Sequence, residues 1–96
     1  MYAQIMRFRL KDADSRAAFV ELTRQMHRWL QPGFTAYELY EGAKGWLDRI
    51  AWSDRAACER GLDDFLATGI ARQMLALVDD DVDVFFGRHV IASAPG

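Results

Sequence analysis

The chain has a single cysteine, two prolines, two histidines and no asparagine among its 96 residues. Each scarcity removes a class of answers. A lone thiol, Cys58, forms no intramolecular disulfide and supplies no multi-cysteine metal site. His27 and His89 fall on separate stretches without a Cys or His at ligand spacing, so no metal site is expected. No apolar run reaches the ~18–20 residues of a membrane span, and no membrane association is expected. The first ten residues alternate and carry Arg7 and Arg9 inside their apolar pattern, unlike a signal peptide. A cytoplasmic location is the resulting expectation. A basic excess is missing too: 12 Lys+Arg face 14 Asp+Glu, a net charge of −2. Nucleic-acid binders carry a basic stripe; here only Arg7, Arg9 and Lys11 cluster, so no nucleic-acid partner is expected. With no linker, repeat or low-complexity tract, residues 1–96 read as one small domain.

What the chain does have is apolar bulk. Hydrophobic residues make up 51% of it, with three Trp, six Phe and three Tyr. That excludes disorder. It also exceeds what a domain of this size needs, since such a chain buries only about two thirds of its unfolded surface. The surplus points to a subunit interface.

The pattern along the chain changes period in a definite order. Residues 2–10 alternate as a strand, with Tyr2, Gln4, Met6, Phe8 and Leu10 on one face and Ala3, Ile5, Arg7 and Arg9 on the other. Asp14 or Ser15 then caps a helix over Arg16–Gln31, striped by Phe19, Leu22, Met26, Trp29 and Leu30, and Pro32-Gly33 ends it. Strands at 34–40 and 46–52 flank the Gly-containing turn at 41–45. Pairing Glu41 with Trp46 sets Tyr37 opposite Ile50, Glu38 opposite Arg49 and Thr35 opposite Trp52. One face then holds Thr35, Tyr37, Leu39, Trp46, Asp48, Ile50 and Trp52. The other holds Phe34, Ala36, Glu38, Tyr40, Leu47, Arg49 and Ala51. Ser53 or Asp54 starts a second helix, interrupted at Thr68-Gly69 and resumed to Val78, and Val82–Ile91 is a last strand. The order β-α-β-β-α-β predicts an α+β fold, a ferredoxin-like split sandwich with one antiparallel sheet and both helices on one face. The bare sheet face, carrying Ile5, Phe34, Tyr40 and Leu47, is expected to pack on a second copy.

Three elements carry a family resemblance: Gln31-Pro32-Gly33-Phe34 before the second strand, the strand ending Trp46-Leu47-Asp48-Arg49-Ile50-Ala51-Trp52-Ser53, and the broken helix around Phe65-Leu66-Ala67-Thr68-Gly69-Ile70. In order and spacing the chain resembles the dimeric α/β-barrel superfamily that includes antibiotic biosynthesis monooxygenases. The resemblance implies a homodimer joined through sheet faces. It also implies a cofactor-free monooxygenase-like enzyme for a planar aromatic or quinone-like molecule held between sheet and helices. The catalytic residues do not carry over. Where the haem-degrading branch has Asn, Trp and His, the spacing places Gln4 or Met6, Phe65, and Met74 or Leu75. The Asn of the cofactor-free branch has no counterpart in a chain without asparagine, leaving Gln4, Tyr37 and Trp52 as a different polar-aromatic set. The alternative is a non-catalytic homodimeric small-molecule-binding or accessory protein of the same fold. No cofactor is expected in either case.

The residues themselves nominate a short set. Asp48 shares the helix-facing side with Trp46, Ile50 and Trp52, where partial desolvation would raise its pKa and suit it to proton transfer; its place near the hairpin favours the plainer reading that it reaches solvent. His89, near the end of the last strand, is a second candidate proton carrier, against a plain strand-end histidine. His27 is expected on a solvated helix face and Cys58 in the core. Asp79, Asp80, Asp81 and Asp83 lack a Gly-punctuated ligand loop and read as a solvated turn. Tyr37, Trp52, Phe65 and Phe8, with Met74, are first a core and second the wall of a pocket for a planar aromatic ligand.

Overall fold

The structure is a computed structural model that describes residues 1–26, 28, 30 and 32–95. His27, Trp29 and Gln31 lie outside the described residues, and with them the expectations placed on His27 and on the end of the first helix. Strand β1 (Tyr2–Phe8) leads through a 3-10 turn into helix α1 (Arg16–Met26). Strands β2 (Phe34–Gly42) and β3 (Gly45–Trp52) form the hairpin. Helices α2 (Arg55–Leu66) and α3 (Gly69–Leu77) precede strand β4 (Asp83–Arg88). The sheet is antiparallel in the order β2-β3-β1-β4. This is the ferredoxin-like α+β arrangement that the alternating periods predict. Among the described residues no helix is long and apolar enough to cross a membrane.

Local chemistry sets the helix starts. Asp12, rather than Asp14 or Ser15, caps the first helical segment, its carboxylate accepting from the Asp14 backbone N–H at 2.9 Å. Asp54 caps α2 by accepting from the Ala57 N–H at 2.8 Å. Thr68 ends α2 and caps α3: its hydroxyl donates to the Phe65 carbonyl and accepts from the Ala71 N–H. One side chain therefore satisfies groups from both helix ends, which is why the break falls there. The last strand is shorter than the predicted Val82–Ile91. Val90 and Ile91 are about 80% exposed, and pairing with β1 stops at Tyr2–Arg88.

The hairpin register follows the expected pairing from Glu41–Trp46 to Glu38–Arg49 and Tyr37–Ile50. It fails at the far end. Phe34, not Thr35, pairs with Trp52, because the register shifts between Phe34 and Ala36. An extra residue in a strand flips everything beyond it to the other face. Phe34 consequently packs against the core, and Thr35 is left exposed. This corrects the placement of Phe34 on the open face.

The helix-facing side of the sheet is the core. Phe8, Phe19, Leu30, Ile50, Trp52 and Cys58 are nearly inaccessible, and Phe8, Phe19 and Trp46 form an aromatic cluster with centroids 5.2–6.4 Å apart. At the opposite end of β3, the indole of Trp52 abuts α2 at Gly61. A Cβ on Gly61 would stand 2.9 Å from Trp52 Nε1 and 3.2 Å from the Leu30 carbonyl oxygen.

That contact decides the sign of a substitution. Alanine for glycine inside a helix ordinarily gains about 1 kcal/mol. Forcing a methyl against a fully buried indole costs about 1–3 kcal/mol. Gly61→Ala is therefore expected to lower stability. Gly69→Ala, whose Cβ would meet only Arg72 at 3.8 Å, is expected to be neutral or stabilising. Urea midpoints of the two variants check this.

Candidate functional site

β3 is paired on both sides, so its helix-facing residues are surrounded in the plane of the sheet as well as covered from above. One row across the sheet reads Tyr37, Ile50, Gln4 and Phe86; the next reads Leu39, Asp48, Met6 and Val84. Asp48 thus has Tyr37 diagonally on one side and Gln4 diagonally on the other. Diagonal neighbours of this kind lie within reach of long side chains.

Asp48 does not reach solvent, as its place near the hairpin suggested. It is 5% exposed. The Tyr37 hydroxyl donates to its Oδ2 at 3.2 Å, while Oδ1 is enclosed without a hydrogen-bond partner. Burial pushes the carboxyl up from its ordinary 3.8 to about 6, against the bond from Tyr37 and a bond from the Met6 backbone that favour the ionised form. Burial, then the charge of Asp48 and the bond to it, raise the Tyr37 phenol, with Thr23 pulling the other way. Thr23 is itself buried and donates to the Phe19 carbonyl at 2.8 Å.

Two more enclosed polar atoms share this sheet face without partners: Gln4 Oε1 and Trp52 Nε1. Buried polar atoms normally find a partner, and an exception asks for an explanation. Trp52 Nε1 lies against α2, 2.9 Å from where a Cβ on Gly61 would stand. Gln4 Oε1 and Asp48 Oδ1 lie on adjacent strands of the same face, in a layer whose other polar groups are the Tyr37 and Thr23 hydroxyls.

The candidate residues fall into groups. Tyr37, Asp48 and Trp52 share the face as the register predicts, with Gln4 beside them. Phe65 and Met74 come from the two covering helices, Phe65 half-buried just before the Thr68 break and Met74 buried. Phe8 lies on the same face but is engaged in the aromatic cluster at the hairpin end. His89 is separated from Asp48. It lies beyond β4, its backbone N–H on the Met1 carbonyl at 2.8 Å. There it lines a cleft of about 740 Å³ on the open sheet face with Ala3, Ile5, Phe85, Val90 and Ile91. Cys58 is buried, and Asp79, Asp80, Asp81 and Asp83 are exposed, as expected. Thr23 is the residue that sequence reading passed over. Its signal was a hydroxyl between Phe19 and Met26, in the middle of the apolar stripe of α1.

The raised carboxyl has a stability consequence of definite sign. A group whose folded pKa lies above its unfolded value favours folding below the lower pKa, here 3.8, and loses that contribution as pH rises through about 6. Above pH 6 the buried charge costs about 3 kcal/mol relative to a protonated carboxyl. Asp48→Asn, which keeps the shape and removes the charge, is expected to stabilise the protein by about 1–3 kcal/mol at pH 8. The gain should shrink towards pH 4.5. Chemical denaturation at both pH values checks it.

No family model matches the chain, and no curated protein matches it. Solved structures do. The chain is similar to SnoaB, a cofactor-independent oxygenase from Streptomyces nogalater: 22% identity over 96% of this chain and 97% of that one, with a TM-score of 0.74. A monooxygenase from the ActVA-Orf6 gene of Streptomyces coelicolor, solved with nanaomycin D, is similar at 16% identity over 99% and 92%, with a TM-score of 0.78. Rv0793 from Mycobacterium tuberculosis matches at 23% identity over 97% and 98%, with a TM-score of 0.76. At such identities the likeness is one of fold, and over nearly its whole length the chain has the fold of the antibiotic biosynthesis monooxygenase-like proteins.

Proposed function

We propose that the chain is a cofactor-free oxygenase of monooxygenase type, acting on a planar aromatic molecule with an acidic C–H or O–H, and that Asp48 is its base. The observation that carries this reading is the enclosed, unpartnered Oδ1 of Asp48. A structural carboxylate gains nothing from such a place, since Asn or Leu would fill it at lower cost. A base for carbon or phenol deprotonation gains a pKa near the working pH. The fold adds support, because SnoaB is a cofactor-independent oxygenase.

The chemistry balances without a further reductant. Asp48 takes a proton from the substrate and leaves an electron-rich anion. That anion gives two electrons to O₂ as a ring carbon bonds one oxygen atom, forming a hydroperoxide. Loss of the remaining carbon-bound hydrogen as a proton breaks the O–O bond. A CH₂ group thus becomes C=O, and the second oxygen leaves as water. Tyr37 holds Asp48 by one oxygen, so that the other faces the substrate. Trp52 and Phe65 form the apolar wall.

The reading includes a homodimer through the open sheet face. There Ile5, Leu47 and Phe85 stand among Arg7, Glu38 and Arg49, and Phe85 is 62% exposed. The Glu38–Arg49 ion pair at 2.8 Å, joined by the Tyr40 hydroxyl on Glu38, crosses the same face. Exposed apolar surface of this kind marks interaction sites. Light scattering at micromolar concentration is expected to give twice the chain mass, and Phe85→Glu to give the monomer while remaining folded.

Oxygen uptake with a panel of anthrones and hydroquinones tests the activity. Uptake in proportion to ketone or quinone formed is expected, with a rate that rises through about pH 6. Asp48→Asn should lower it by about 100-fold or more and remove that limb of the profile. Ligand binding without oxygen uptake would instead make this a binding protein of the same fold.

A further inference from the structure

The hairpin turn between β2 and β3 has a cleft on each flank. Arg9, Glu41, Gly42, Lys44, Gly45 and Trp46 line both, and Asp48, Tyr37 and Gln4 line neither. Towards β4 the charges balance: Arg7 is opposite Asp83 in the register, and Asp81 lines the same wall. Towards α1 they do not. That cleft, of about 520 Å³, sets Arg9, Arg16 and Lys44 against one carboxylate, Glu41. Arg16 already engages Glu41, its Nε donating to both oxygens at 3.1 Å, and its guanidinium stands 5.9 Å from the centre of the Trp46 ring. Among the described residues Arg9 and Lys44 form no ion pair.

We infer that the cleft between the hairpin turn and α1 is a binding site for a phosphate monoester with a small apolar body, separate from the sheet–helix layer. Two unpaired cations call for a ligand that brings two negative charges, and a phosphate monoester is nearly a dianion above pH 7. Its oxygens suit both the planar donor fork of Arg9 and the compact charge of Lys44. The rest of the wall gives an apolar body a surface to lie on: Leu10, Ala13, Ala43 and Trp46. A single carboxylate or a sulfate ester would leave one cation uncompensated.

The fold builds the cleft from contacts distant in sequence. Gly45 has a φ of +146°, and a Cβ there would stand 2.9 Å from the Phe8 carbonyl oxygen and 3.2 Å from Arg9 Cγ. The turn that carries Lys44 therefore presses on the end of β1, and only glycine allows so close an approach. Trp46 stacks on Phe8, so the apolar part of the wall belongs to the aromatic cluster of the core. Glu41 has the opposite effect. Its carboxylate holds Arg16 and repels an incoming anion, so it weakens the site.

Calorimetric titration of the full chain at about pH 7.5 and low salt, with phenyl phosphate, phenyl sulfate and inorganic phosphate, tests this. Phenyl sulfate has the same outline and a single charge. It is expected to bind about 10-fold or more weakly than phenyl phosphate, and inorganic phosphate, without the ring, about 5-fold or more weakly. Lys44→Gln and Arg9→Gln should each weaken phenyl phosphate by about 10-fold, and Glu41→Gln should tighten it by about 3-fold or more. Arg60→Gln removes the same charge from an exposed position on α2 and should leave the affinity unchanged. Asp48→Asn should leave it unchanged as well, so the result does not depend on the oxygenase reading. No binding of phenyl phosphate at about 1 mM, or equal affinity for phenyl sulfate or inorganic phosphate, would overturn the inference. So would a loss in Arg60→Gln or Asp48→Asn as large as in Lys44→Gln, or weaker binding in Glu41→Gln.

Discussion

The helix-facing side of β3 is the constraint on which the rest of the structure depends. β3 has a strand on each flank and helices above, so Trp46, Asp48, Ile50 and Trp52 occupy the most enclosed line in the protein. Trp52 sets the height of α2, because its indole fills the space that a side chain at Gly61 would need. Trp46 organises the other end, stacked on Phe8 and tilted against Phe19. These two aromatics clamp the strand at either end, and the polar group lies between them.

A carboxylate at that point opposes folding, since desolvation disfavours its charge and one of its oxygens finds no donor. The surrounding structure reduces the cost without removing it. Tyr37 donates from the adjacent strand, and Thr23 lies behind Tyr37 from α1. The aromatic clusters at either end supply the apolar burial that lets the fold carry the remaining cost. The proposed role of Asp48 as a base would use this raised carboxyl.

The two sheet faces differ in kind. On the helix side charge is rare and enclosed. On the open side Arg7 with Asp83, and Arg49 with Glu38, alternate with Ile5, Leu47 and Phe85 along the cross-strand rows. The phenyl ring of Phe85 lies across Gly87 two residues on, close to where a Cβ would stand. Such a mixed, patterned surface suits a partner that supplies both apolar contact and complementary charge.

Period and punctuation in the sequence determined most of the architecture. Alternation over 2–10 and 46–52, the helical stripe that starts at Phe19 and the Gly-containing turn give the element order and, with Glu38 opposite Arg49, the register of the hairpin. The same register brought Tyr37, Asp48 and Trp52 to one face. These features are local, because side-chain direction follows from chain geometry over a few residues. Tertiary structure decided the rest. The irregularity at Thr35 turned Phe34 inward, although both residues fit an extended strand equally well. The depth of Asp48 depended on β1, α1 and the covering helices, all distant in sequence, so proximity to a turn was a poor guide to its exposure. Orphaned atoms such as Gln4 Oε1 are invisible in a sequence for the same reason: a missing partner is a property of everything packed around an atom, and only the folded chain brings those neighbours together.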